Sequence, residues 1–526
     1  MKKVNLILCF LLIGMFSLNA QEATIPNVLN IKRAQHSGEI IENRKLVGYY
    51  VFYLKEKVDK KNNAYIVELF DDNYNKSNSI DIVRPKSSSL VQLVYNGEVF
   101  LLHFYDSKTG YEFVTYDRSG KMLGSNKIGI KEISKYDISS INTAVSAGQE
   151  YLSIFANGTN GFIRTTLMDN KKIGYEVVAI DNNAKVQWSY KSNVQSPLVE
   201  AVAINDISNN VLAATVTRKK NLMTKEMQIF CLLVNTETGK LIKEIPMGDE
   251  KTGYRSLLKA TYSELSNSLI LVGEYYKPND DIIKNKSIGL YIQELDLAGK
   301  ELRKKEFKWK GNIDKFKFEI DPDDKKSDKP FYAFFHEIII SKNGQIFLIG
   351  EQFKKQVSAL GIASQVLNSN SGADAAAAFE IRVGNMIVIE FNSKFDLVDF
   401  KSIEKKSTTV LLPAGSGLLS TTLLGYLVKS YGGFDYSFTS RDVENDKYEV
   451  VYIDANRKEE KSSKTKSDMM IGVITINKGE KVATRVPINS EVNNFWLQPA
   501  KAGYISVSEY YRKEKKVHMR LEQLSY

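Results

Sequence analysis

The sequence predicts an all-β repeat fold, a β-propeller of eight four-stranded blades with seven blades as the alternative. Three observations predict it. A turn followed by an apolar strand recurs along the chain, a hairpin of fixed chemistry alternates with it, and Val, Ile, Tyr and Phe crowd the flanks of both. Each turn-strand and hairpin pair fills roughly 50 to 80 residues, the length of a propeller blade. A sheet that small cannot bury both faces alone, so its neighbours in a ring must cover them.

The turn-strand occurs eight times. It begins at Gly48-Tyr49-Tyr50, Asn96-Gly97-Glu98, Gly148-Gln149-Glu150 and Asn210-Val211-Leu212, and again at Ser268-Leu269-Ile270, Asn343-Gly344-Gln345, Gly425-Tyr426-Leu427 and Gly503-Tyr504-Ile505. The hairpin occurs seven times, with turns Asp72-Asn73-Tyr74-Asn75-Lys76, Asp117-Arg118-Ser119-Gly120-Lys121, Asp181-Asn182-Asn183-Ala184-Lys185, Asn235-Thr236-Glu237-Thr238-Gly239-Lys240, Asp296-Leu297-Ala298-Gly299-Lys300, Asn392-Ser393-Lys394-Phe395-Asp396 and Asn477-Lys478-Gly479-Glu480-Lys481. Asp or Asn opens such a turn by accepting bonds from backbone N–H groups further on, and Gly supplies the positive φ. The last turn-strand and residues 517–524 leave the final blade short of its outermost strand. A segment from within residues 25–41 is expected to supply it, closing a single domain over residues 21–526.

Residues 1–20 read as a signal peptide: Lys2 and Lys3, an apolar run over 4–16, then Ser17-Leu18-Asn19-Ala20 before Gln21. Leu8 is too bulky, and the apolar run before Cys9 too short, for a lipoprotein signal. The mature chain is therefore expected to be exported, with no transmembrane segment and with Cys231 as its one cysteine, a buried small hydrophobe. Removing Lys2 and Lys3 lowers the net charge from +10 to +8, mild for this length and scattered over turns. Nothing there marks a nucleic-acid partner.

Three insertions interrupt the repeat. Residues 309–330 contain Asp321-Pro322-Asp323-Asp324-Lys325-Lys326, acidic enough to suggest calcium, yet without the loop glycine and distal glutamate; a solvated turn is expected. Residues 351–384 are the expected helical insertion: Phe353, Val357, Leu360 and Leu367 share a face, and Ala375 to Ala378 favour helix. Residues 431–468 suggest an extra hairpin followed by a polar loop at 458–466.

Reaction chemistry is not visible. The four histidines, His36, His103, His336 and His518, are far apart in sequence, and no nucleophile elbow or phosphate loop occurs. Ala414-Gly415-Ser416-Gly417 reads as a loop, and Trp188, Trp309 and Trp496 as packing residues. No catalytic residue, metal ligand or cofactor is assigned.

The Asp-x-x-Gly-Lys hairpin after an Asn-Gly strand, with the Asn19-Ala20-Gln21 junction, resembles uncharacterised secreted propeller-like families of Bacteroidota. The resemblance implies fold and export, and no functional residue comes with it. The expected function is a non-enzymatic binding or scaffold protein of the envelope, periplasmic because no sorting domain is recognised, with an envelope protein or glycan as partner. A surface or extracellular location is the alternative. Rival functions are a hydrolase or lyase acting on glycans or peptides through channel carboxylates, and a purely structural component.

Overall fold

The computed structural model describes residues 21–31, 37–42, 45–147, 151–169, 171–221, 227–282, 284–313, 332–357, 379–410, 421–430, 432–455, 469–488, 490, 492 and 494–524. The signal segment, His36, the acidic run 321–326, the loop 414–417 and the polar loop 458–466 lie outside them.

The fold is an all-β propeller. Among the described residues its strands form eight four-stranded antiparallel units, over residues 37–85, 89–129, 154–191, 199–246, 255–308, 332–403, 436–488 and 495–523, the sixth extended by Thr408–Val410. The third and fourth join at one parallel pair, Ile173 with Val199. The eighth takes its outer strand from Glu22–Ile25, which pairs antiparallel with Lys516–Gln523. An apolar cluster fills every junction between consecutive units. One example is Phe100, Leu102 and Val114 against Val67, Leu69 and Ile80; another closes the ring where Trp496, Val517 and Met519 meet Tyr49, Val51 and Phe70. Cys231 is buried in the junction of the fourth and fifth units, where burial pushes its thiol up to about 12.

In an up-and-down four-stranded sheet, the first and third turns fall at one end, and the second turn and the exit at the other. The propeller therefore has two unlike faces. The turn face carries the repeat hairpins. Asp181 Oδ1 accepts from the amides of Asn183 at 2.9 Å and Lys185 at 2.8 Å, and Asp296 repeats this with Ala298 at 3.0 Å and Lys300 at 2.8 Å. In the first unit the opener is Asp71 rather than Asp72: it accepts from Asn73 at 2.9 Å and Asn75 at 2.8 Å. Where the turn lacks Gly, Tyr74 (φ 65°) and Phe395 (φ 64°) take the left-handed position, which costs a non-glycine residue about 1 kcal/mol. Both rings are buried, Tyr74 at 3% and Phe395 at 1% exposure, so packing offsets the backbone cost.

The insertion face carries two helices, α1 (Lys135–Ala147) and α2 (Thr421–Ser430), neither of which the sequence reading anticipated. Ser134 caps α1, its hydroxyl accepting from Tyr136 N at 3.2 Å, while Ile138, Ile141 and Val145 turn to the junction of the second and third units. Helix α2 corrects the turn-strand expected at Gly425. Leu424 and Val428, one helical turn apart, are buried against Phe334 and Phe353, and a Cβ on Gly425 would come 2.6 Å from the Phe334 ring. Here glycine marks a close approach, not a turn.

Three other expectations change. The third unit's turn-strand starts at Asn160-Gly161-Phe162, not at Gly148; Tyr151 to Ser153 pair in no strand. The helical insertion expected over 351–384 has strand at both described ends: Ile346–Val357 pairs with Phe379–Phe391, and Phe353 packs from a strand. Residues 358–378 lie outside the described set. The extra hairpin of 431–468 is no extra: Tyr436–Asp442 and Lys447–Ala455 are the first two strands of the seventh unit.

Candidate functional site

The inner strands wall the central channel, and a repeated irregularity aims their side chains. The inner strands of the fourth, fifth and sixth units have a β-bulge, between Ile204 and Asp206, Leu257 and Lys259, and Phe335 and Glu337, as do those of the second and seventh units. A bulge inserts one residue and turns the next side chain across the sheet. Asp206, Lys259 and Glu337 each follow the bulge of their own strand, and Arg441 lies further along the seventh unit's inner strand. They form a belt of alternating charge. Glu337 Oε1 lies 3.0 Å from Arg441 Nη2 and 3.6 Å from Lys259 Nζ, and accepts from Ile338 N at 2.9 Å. Asp206 Oδ2 accepts from Tyr262 N at 2.8 Å, tying the fourth inner strand to the fifth.

The two carboxylates are pushed opposite ways. Burial raises Asp206, only partly opposed by the Ser208 hydroxyl and by backbone amides. Burial acts on Glu337 too, but Arg441 and Lys259 outweigh it and hold the carboxyl below its ordinary value. Glu39, on the first inner strand, is raised by burial to about 7.

Next to the belt, on the turn face, lies a bowl of about 1010 Å³. Its wall comes from five units and includes Asn160, Asn209, Tyr262, Lys342, Arg441 and Tyr448. It presents amides, hydroxyls, two aromatic rings, the carboxylate of Glu264 and two cations, Arg441 paired with Glu337 and Lys342 bonded to Glu444 O, a lining suited to a polar ligand. At the opposite mouth sits α2. Tyr426 is 41% exposed, and burial together with the nearby Glu274 carboxylate pushes its phenol up to about 12. Lys429 is lowered by burial and by Lys259, with Glu337 opposing, and its ammonium lies over the Phe334 ring.

Beneath α2, Thr422 Oγ1 donates to the buried Glu274 carboxylate and lies 2.5 Å from the Tyr276 hydroxyl. Burial pushes Glu274 up to about 7, although the Thr422 and Ser287 hydroxyls oppose it.

The three described histidines do not converge. His103 is buried between Phe113 and Tyr111, its imidazole held well below the ordinary range by burial and by Arg164. His336 is buried against Tyr436 and 3.3 Å from Glu351, while His518 lies near Thr24 and Glu22 at the ring closure. Trp188 donates to Thr236 O at 2.9 Å, Trp309 to Ser287 Oγ at 3.0 Å, and Trp496 is buried in the closing junction. Among the described residues no three His, Cys, Asp or Glu side chains stand together as a metal site, and no helix is long and apolar enough to cross a membrane. Sequence reasoning missed the belt because a bulge breaks the alternation that would show which side chains face inward. Matching the three inner strands to one another was the available signal.

A family model described as a family of unknown function (DUF6770) matches residues 1–525. No curated protein matches the chain. Among solved structures it is similar to prolyl oligopeptidase B from Galerina marginata, at 7% identity and a TM-score of 0.39, over 91% of this chain and 55% of that one. It is also similar to the periplasmic gluconolactonase of Pseudomonas aeruginosa (10% identity, TM-score 0.29, 70% of this chain and 86% of that one). An α-L-arabinofuranosidase from Fusarium graminearum aligns at 9% identity and a TM-score of 0.28, over 81% of this chain and 90% of that one. The chain spans 55% of the length of the oligopeptidase, and likenesses this remote carry nothing about activity.

Proposed function

The chain belongs to the family of unknown function DUF6770, and we propose that it is an exported binding protein of the bacterial envelope that holds a carboxylate-bearing glycan in the bowl of its turn face. The bowl carries this reading: it offers about 1010 Å³ walled by five units, with Arg441 and Lys342 for a carboxylate and with Tyr262, Tyr448 and asparagine amides for hydroxyls. Export rests on Lys2, Lys3 and the apolar run before Gln21. The neighbouring carboxylates favour binding over catalysis, since Glu337 is engaged by two cations and Asp206 by backbone amides.

Calorimetric titration of the purified protein with a short uronic-acid oligosaccharide tests it. Saturable binding that weakens with salt is expected, and Arg441→Gln should reduce affinity about tenfold or more, the worth of a charge-assisted hydrogen bond. No binding, or binding unchanged in both Arg441→Gln and Tyr262→Ala, overturns it. One observation favours a second reading, an envelope hydrolase: Asp206 and Glu337 are shifted in opposite directions, as an acid and its partner base would be. Shortened oligosaccharide in the titration mixture, absent with Asp206→Asn, would establish that reading instead.

A further inference from the structure

Between the sixth and seventh units, beside α2, three ionisable side chains meet in a nearly closed pocket. The side chains of Lys405 and Glu351 expose none of their surface, and that of Asp435 exposes 14%. The Lys405 ammonium touches the Asp435 carboxylate directly and lies 3.4 Å from Glu351 Oε2. Glu351 is itself fixed, accepting from the amides of Tyr436 at 2.6 Å and Asp435 at 3.2 Å, with His336 Nε2 at 3.3 Å. Thr408 Oγ1 donates to Asp435 Oδ2 at 3.0 Å, and Lys406 N donates to Asp454 at 2.8 Å, so both backbones are held. Beside the group His336 stacks on Tyr436 and meets the Phe434 ring edge-on.

Two carboxylates sharing one ammonium leave an excess negative charge in a buried pocket, which burial disfavours even with the amides and the Thr408 hydroxyl as partners. A neutral amide would remove both members of the touching pair. We propose that Lys405 and Asp435 condense into an intramolecular isopeptide bond, with Glu351 relaying the protons. The Lys405 ammonium passes two of its three protons by way of the Glu351 carboxylate to one Asp435 oxygen. The nitrogen attacks Cγ, the C–N bond forms, the C–O bond breaks, and that oxygen leaves as water. The amide keeps the third proton, Glu351 ends as it began, and no oxidant or cofactor is required. Burial raises the Asp435 carboxyl above its ordinary value against the pull of Lys405, which favours the protonated form that an amine attacks. The bond would close residues 405–435 into a covalent ring carrying α2 and staple the sixth unit to the seventh.

Mass spectrometry of the denatured full chain decides it, with the N-terminus read from the same protease digest. The expected mass is lower by one water, about 18 Da, and the digest should contain a branched peptide joining Lys405 to Asp435. Lys405→Arg, which keeps the charge but cannot condense this way, should restore the full mass, and Glu351→Gln should leave the bond unformed or incomplete. A wild-type chain of unshifted mass overturns the proposal, as does a water loss that persists in Lys405→Arg. The wild-type measurement decides the matter even where a variant fails to fold.

Discussion

The two faces of the propeller are built by different physics. On the turn face six hairpins carry their own fastening, an Asp or Asn oxygen on nearby amides, so these turns are held by residues a few positions apart. The insertion face has such local turns too, as at Asp59 and Asp106, but adds long-range fastenings: Glu351 receives the backbone at Asp435 and Tyr436, Glu274 receives Thr422 of α2, and Asp137 of α1 receives Tyr111 and Thr166. Local fastenings are repeated and individually dispensable. Long-range ones are single and buried, so their loss strands a charge. The difference teaches where stability and ligand should be sought: the insertion face is locked, while the turn face, stable turn by turn, leaves room for an open bowl.

The contrast can be broken by substitution. Glu351→Ala should have the largest effect, removing the shared partner of His336 and Lys405 and costing about 3–5 kcal/mol in denaturant unfolding. A loss no larger than that of a surface change would deny the locked-face account. The next is a pH effect at Glu274. Its carboxyl binds a proton more tightly when folded, with a value of about 7, than at its ordinary 4.5. Its contribution to stability is therefore intact below pH 4.5 and falls as pH rises to about 7. Glu274→Gln should stabilise the protein by on the order of 2–3 kcal/mol above pH 7 and by nothing below pH 4.5, measured as unfolding midpoints across pH. A gain that does not depend on pH would count against it. The smallest is Asp181→Ala on the turn face, which should cost about 1 kcal/mol, the worth of one turn fastening.

The same contrast explains what the sequence reveals. The hairpins were legible because their chemistry sits within five residues, as in Asp296-Leu297-Ala298-Gly299-Lys300. Tyr74 and Phe395 keep the same turn without glycine, and burial of their rings explains why. Gly425 misled because a glycine beside Tyr and Leu reads alike as a strand start and as a helix pressed on Phe334. Gly148 misled by proximity to the true start at Asn160-Gly161. The belt was hidden by bulges, and Lys405, Glu351 and Asp435 by distance along the chain, since only the fold brings two strand ends and a strand interior to one point. No periodicity carries that information.

The account's central claim is that the turn face receives the ligand. Hydrogen exchange with and without the uronic-acid oligosaccharide tests it most directly. The account predicts slowed exchange at 207–210, 261–265 and 338–342, around the bowl, with α1 and α2 unchanged. Protection confined to α2 and its neighbours, with the bowl turns exchanging as before, would contradict it.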